Sequence, residues 1–206
     1  VYRRMMKAWA NTVGGNWRNG VDQLPVRTEI SGKTIGIVGF GNIGRQVARR
    51  LSGFDCEVLY YDPVEMMPGR DRELGTQAVE LDHLLRVSDI VTVHVPLNSS
   101  TRGMFGSREF GLMKSTAILI NTSRGGVVEE SSLMEALRAG KIAGAGLDVL
   151  DKEPTQKDNP LLSMDNVAVT PHLAGMSAES GPRSVAFAMQ NMARVARGEE
   201  PLSVVT

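Results

Sequence analysis

The chain has 206 residues, of which 42% are apolar and 22% charged, enough for one medium domain or a domain with a docked arm. Its 23 basic and 23 acidic residues cancel, which argues against a nucleic-acid or anionic-membrane surface, and no apolar run reaches the roughly 18–20 residues that span a bilayer. The single cysteine, Cys56, excludes an intramolecular disulfide and fits a reducing compartment, so the expected location is the cytoplasm.

Residues 1–10 read as a short helix with Tyr2, Met5, Met6 and Trp9 spaced by three and four on one face. The opening up to Trp17 resembles the middle of a helix-rich protein, so we expect an upstream part to be missing. Residues 11–33 are rich in Gly, Asn and other polar residues and are expected to run over the surface. Residues 34–38 form a buried strand, residues 42–51 a helix stopped by Gly53 as a left-handed cap, and residues 58–61 a second strand. A helix over 81–87, a strand over 90–95, a helix over 107–113 and a strand over 117–120 follow. Next come a helix over 131–139 ending at Gly140, a glycine-thinned strand over 143–149 and a last strand over 167–170. A long helix over 179–197 stops at Gly198. Strands separated by helices imply parallel pairing, so the predicted fold is an α/β, doubly wound sheet of Rossmann type.

The first strand runs into Gly39-Phe40-Gly41-Asn42-Ile43-Gly44, and a helix starts at once. Gly39 permits the tight turn, Gly41 lets the backbone reach a pyrophosphate, and Gly44 lets the helix pack on the strand. The Asn42 and Ile43 amides then face an anion at a helix N-terminus. Asp62 closes the second strand about 20 residues on, where a carboxylate accepts ribose hydroxyls and repels a 2′-phosphate. The nearest cation after it, Arg70, follows two prolines and a turn, so NAD is predicted rather than NADP.

Three loops further on carry Arg124 (Asn121-Thr122-Ser123-Arg124-Gly125-Gly126), Glu153 (before Pro154) and His172 (in Thr170-Pro171-His172). A fork-shaped cation that grips a carboxylate, an acid/base imidazole and a carboxylate that favours the imidazolium suit hydride transfer to a 2-oxo acid. By contrast, His83 reads as a solvated helix residue, His94 as shaping the cofactor pocket and Cys56 as a core filler. Glu129 and Glu130 read as serving only the first turn of the next helix. No two His or Cys residues fall at metal-ligand spacing, so no metal is expected.

These motifs, with His94-Val95-Pro96-Leu97 and Leu147-Asp148-Val149, resemble the D-isomer-specific 2-hydroxyacid dehydrogenases, from about Trp17 to Val205. That family includes D-lactate, D-glycerate and phosphoglycerate dehydrogenases. The resemblance implies that Arg124 holds the substrate carboxylate and carbonyl, that His172 is the general acid/base and that Glu153 hydrogen-bonds His172. Asp148 would meet the nicotinamide carboxamide, Val95 and Thr122 would line the cofactor, and residues 171–175 would close over the nicotinamide. The implied cofactor set is Gly39, Gly41, Asn42, Ile43, Gly44, Asp62, His94, Val95, Pro96, Thr122, Ser123, Arg124, Asp148, His172, Ala174 and Gly175. Glu153 speaks against the formate dehydrogenase branch, which pairs its His with a Gln.

Family members carry about a hundred further residues upstream, forming most of a substrate domain. Residues 1–175 therefore read as the NAD-binding domain with an N-terminal helix and arm. Residues 176–206 read as a helix and tail that pack toward the missing domain. The implied partners are a small 2-hydroxy or 2-oxo acid and a second copy in a homodimer. Two other functions share the motifs: a regulatory NAD-binding protein of the corepressor type, and an inactive cofactor-binding fragment.

Overall fold

A computed structural model describes residues 1, 5–17, 28–63 and 74–204. They form two compact units, Val1–Pro171 and His172–Thr206. Tyr2 and Arg70 lie outside the described residues.

The first unit is built on a seven-stranded sheet in the order β3-β2-β1-β4-β5-β6-β7. Its strands are β1 (Thr34–Val38), β2 (Glu57–Tyr61), β3 (Thr76–Ala78), β4 (Ile90–Val93), β5 (Ile118–Asn121), β6 (Gly144–Leu147) and β7 (Val167–Val169). Every adjacent pair is parallel. The helices between them are α2 (Asn42–Leu51), α3 (Leu81–Val87), α4 (Ser107–Leu112) and α5 (Glu130–Arg138), after α1 (Met5–Val13). A parallel strand covered on both faces needs apolar residues throughout, and all four residues of β4 are buried. Because successive side chains alternate, Val38 faces the cluster built with Leu84, Phe110 and Leu133, on α3, α4 and α5. Its neighbour Ile37 packs on the opposite face with Ala48 of α2, Val58 and Tyr60.

The strand order reverses at β1, which pairs with β2 on one side and β4 on the other. The crevice of a doubly wound sheet opens there, at the carboxyl ends of β1 and β4. Both ends lead into predicted site residues, 39–44 after β1 and 94–96 after β4.

The structure departs from the sequence reading at element ends. Gly53 is not left-handed; Asp55 is, with φ 51°, a conformation Asp tolerates better than most residues. Helix α1 runs to Val13, three residues past its expected end, before Gly14 and Gly15. Strand β4 stops at Val93, although the His94 N–H still donates to the Val38 carbonyl of β1 at 2.7 Å, and the His94–Val95 backbone comes up against Gly39. Strand β3 is an edge of three residues, Thr-Gln-Ala, too short and too polar to show a period. Two 3₁₀ turns, Gly125–Val127 and Pro160–Ser163, add to the elements read from the sequence.

The second unit holds α6 (Ser180–Ala196) and a tail. The Ser177 hydroxyl accepts the Ser180 N–H at 3.1 Å and opens the helix, while Gly198 ends it at φ 73°. The tail folds back on the helix, where the Asn191 side chain accepts the Leu202 N–H at 2.8 Å and donates to the Ser203 carbonyl at 3.2 Å. Val185, Phe187, Met189 and Met192 of α6 are exposed.

Candidate functional site

The glycine loop is shaped by backbone-to-backbone contact. A Cβ on Gly39, which has φ 93°, would lie 2.7 Å from the His94 carbonyl carbon and 2.8 Å from the Val95 nitrogen. A Cβ on Gly44 would lie 2.1 Å from the Gly39 carbonyl oxygen, so only glycine lets α2 close on β1. At Gly41 the same test meets nothing within 4 Å. The loop is therefore tight at its two ends and open in the middle, where Gly41, Asn42 and Ile43 are exposed. No acidic residue stands in the first turn of α2 to oppose an anion there. The open middle of this cradle, at the helix N-terminus, leaves room for an anionic group such as a pyrophosphate.

Around the cradle, Asp62 accepts the Phe40 N–H at 2.7 Å. Val95 is buried and Pro96 exposed beside it. Burial pushes the His94 imidazole from its ordinary 6.5 down to about 4, and its Nε2 lies 2.9 Å from the Thr92 hydroxyl. His94 is thus a neutral wall residue with its ring pinned to the strand below it. His83, in contrast, is exposed on α3. Cys56 is partly buried, and burial pushes its thiol up, as befits an inert packing residue.

At the end of β5, the buried Asn121 organises the loop that carries Thr122, Ser123 and Arg124. Its Oδ1 accepts the Ser123 N–H at 3.0 Å and the Ser123 hydroxyl at 2.8 Å, while its Nδ2 donates to the Arg124 carbonyl at 3.0 Å. Arg124 is exposed and its Nη1 donates to the Ser123 carbonyl at 2.7 Å. Among the described residues it forms no ion pair, so a surface salt bridge does not account for it.

The loop after β6 carries Asp148 and Glu153. Asp148 is 5% exposed and accepts the Thr170 hydroxyl at 2.5 Å. The Glu153 carboxylate accepts the Leu150 N–H at 3.0 Å, and the Glu153–Pro154 peptide is cis. This loop touches the Arg124 turn directly, since a Cβ on Gly125 would lie 2.0 Å from the Leu150 carbonyl oxygen. Glu130 clamps the same spot, accepting the Asp151 N–H at 2.6 Å and the Asn159 Nδ2 at 3.4 Å. Glu129 does serve its own first turn, through Ser132. Glu130 does more, and the reading of it as a mere helix-turn residue was too narrow.

The structure thus brings the loops of Arg124 and Glu153 together. His172, Ala174 and Gly175 are exposed residues of the second unit. His172 has φ 56°, a left-handed conformation that a non-glycine residue adopts at a cost of order 1 kcal/mol. Asn121, Glu130 and Thr170 were missed as organisers. An Asn closing a strand two residues before a turn is a readable signal. Glu130 has none, because its partner amide is 21 residues away. Among the described residues, no group of three or more His, Cys, Asp or Glu side chains could hold a metal ion. No described helix is long and apolar enough to cross a membrane.

Residues 1–174 match the family model of the D-isomer specific 2-hydroxyacid dehydrogenase, NAD binding domain. The chain belongs to that family. It is an NAD-binding domain with the family's Rossmann sheet. A glyoxylate reductase of Korarchaeum cryptofilum is 42% identical over 204 residues, covering 98% of this chain and 61% of the relative. A D-3-phosphoglycerate dehydrogenase of Archaeoglobus fulgidus is 42% identical over 170 residues, or 82% of this chain and 32% of that protein. Among solved structures, D-lactate dehydrogenase with NAD+ from Lactobacillus jensenii superposes with a TM-score of 0.84 at 34% identity, over 100% of this chain and 64% of that one. The domain spans less than two thirds of the length of these relatives.

Proposed function

We propose that the protein carrying this domain is an NAD-dependent D-2-hydroxyacid dehydrogenase that reduces small 2-oxo acids. The observation that carries the reading is the packing of the Arg124 turn on the Glu153 loop through Gly125, after β5 and β6, the two strands that follow β4 in the sheet. NAD(H), when bound, supplies or accepts the hydride at the substrate C2. Gly39, Gly41, Asn42, Ile43 and Gly44 hold its pyrophosphate, Asp62 its adenosine ribose, and Asp148 its carboxamide. Val95, Pro96, Thr122, Ser123, Ala174 and Gly175 line its path.

Arg124 grips the substrate carboxylate with two parallel N–H groups and faces the charge that grows on the carbonyl oxygen. His172 gives that oxygen its proton in reduction and takes it back in oxidation. Glu153 orients the imidazole and fixes its tautomer by accepting its other ring N–H. Glyoxylate is the first substrate to test, because a relative at 42% identity is a glyoxylate reductase. Residues 176–206 fit the role of a helix and tail that pack on a substrate domain. The exposed Met5, Met6, Trp9 and Val13 on α1 suit a homodimer contact, and a lone, partly buried cysteine suits the cytoplasm.

The test is consumption of NADH with glyoxylate, hydroxypyruvate and pyruvate, for the unaltered protein and for His172→Gln. The expected outcome is turnover on at least one acid, lowered about 10²–10⁴-fold in the variant, the usual worth of a general acid/base. Near-normal turnover of the variant would remove His172 from the mechanism. NADH binding without turnover on any 2-oxo acid would reduce the reading to cofactor binding.

A further inference from the structure

Residue 40 is the odd member of the glycine loop. Its large aromatic side chain is 0% exposed, whereas the three residues after it are open to solvent. The Phe40 ring stacks on Tyr60 with centroids 3.9 Å apart and planes 12° from parallel. The neighbouring Gly39 N–H donates to the Tyr61 carbonyl at 2.9 Å. The Phe40 N–H donates to Asp62 Oδ2 at 2.7 Å. Three successive residues at the end of β2 (60, 61 and 62) therefore hold two successive residues of the loop.

This anchoring sets the peptide from which the open part of the loop departs. With its ring packed and its N–H turned to Asp62, Phe40 starts the Gly41 turn from one fixed plane. If the acceptor is removed, a buried N–H loses its partner, and such a group seeks another at the expense of local geometry. Gly41 offers no resistance, because nothing lies within 4 Å of the side chain it lacks. The Asn42 and Ile43 amides would then lose their aim.

We infer that Asp62 is a positioning residue for the glycine loop, holding it through the Phe40 amide in addition to meeting the ribose. The inference rests on the reading of 39–44 as the nucleotide cradle. A carboxylate has about four lone-pair positions, so accepting the Phe40 amide is compatible with accepting other donors as well. Cofactor choice and loop geometry consequently hang on the same side chain. Removing the charge and removing the acceptor have different results. Asp62→Asn keeps an oxygen for Phe40 while relieving the repulsion of a 2′-phosphate. Asp62→Ala relieves the repulsion but releases the loop.

The 206-residue chain itself serves for the test, in three measurements. In the unaltered, ligand-free chain, the Phe40 amide proton signal should shift with the same pH midpoint as the Asp62 side-chain carboxyl carbon. In the two variants, exchange of the Phe40 amide with solvent should quicken at least about tenfold in Asp62→Ala, the worth of one hydrogen bond to a charged group, and little in Asp62→Asn. Calorimetry with NADH, NADPH and an NADH analogue lacking both adenosine ribose hydroxyls completes the set. Asp62→Ala should weaken even the analogue about tenfold and gain nothing for NADPH, whereas Asp62→Asn should keep NADH binding and narrow its advantage over NADPH.

A Phe40 amide indifferent to the Asp62 titration would overturn the anchor without any variant having to fold. Unchanged affinity of Asp62→Ala for the analogue would assign Asp62 to the ribose alone. Absence of binding to any nucleotide in the unaltered chain, with the amide results as expected, would instead sink the cradle reading and leave the anchor standing.

Discussion

The two ends of the candidate site are built differently. At the nucleotide end, backbone packs on backbone: Gly39 against His94 and Val95, Gly44 against Gly39, with Phe40 fully buried between them. At the other end, Arg124 and Glu153 are exposed on their loops, and side-chain hydrogen bonds do the organising, from Asn121, Glu130 and Thr170. A cradle made of main chain tolerates almost no added atom, because peptide groups cannot rotate out of the way. Loops held by side-chain bonds lose about one bond's worth per substitution. The nucleotide end should therefore be brittle and the other end graded.

The largest effect expected is at Gly44. Gly44→Ala forces a methyl against the Gly39 carbonyl oxygen and should destabilise the chain by about 3 kcal/mol or more and abolish NAD binding, read by urea unfolding and calorimetry. Gly41→Ala is its complement: stability should stay within about 1 kcal/mol, while NAD affinity falls because the methyl occupies the open middle of the loop. Equal loss of stability in both variants would break the distinction between tight ends and open middle.

Next comes His94, in the wall between the two ends. Burial lowers its titration from 6.5 to about 4, so between those values the unfolded chain binds more protons than the folded one. Its contribution is complete above pH 6.5 and is lost as pH falls toward 4, on the order of 3 kcal/mol in all. Urea unfolding at pH 7 and pH 4.5 should show that drop, and His94→Asn should flatten it. A drop that survives in the variant would assign the pH dependence to other groups.

The smallest effect belongs to the end that holds Arg124 and Glu153. Glu130→Ala frees the Asp151 amide and should lower stability by about 1–2 kcal/mol with NAD affinity unchanged. Amide exchange at Leu150 and Asp151 should quicken in step. Loss of NAD binding in this variant would show that the two ends are not separable.

Much of this was legible beforehand because it is local. Gly39, Gly41 and Gly44 announce a strand–turn–helix by their spacing alone, and β1 and α2 lie where that spacing puts them. The long apolar strands and the helix stops at Gly140 and Gly198 are equally plain, and the structure adds that both glycines are left-handed. Strand β3 was not, since its three residues carry no period and gain their place only by pairing with β2. The left-handed residue after α2 is Asp55 and not Gly53, because the chain must turn where Glu57 enters the ladder beside β1. The bonds of Glu130 and Phe40 are illegible for the same reason, each having a partner about 20 residues away in the chain.

By itself, the amino-acid sequence determined the alternation of strands and helices, the glycine cradle and the identity of the ionisable residues, because periodicity, turn chemistry and charge are properties of neighbours in the chain. Only the tertiary structure decided that Gly125 rests on the Leu150 carbonyl, that Glu130 holds the loop of Glu153 and that Asp62 answers the Phe40 amide. Each of these is a contact between segments joined through a crossover, and a buried backbone group takes whichever acceptor the sheet order brings within reach.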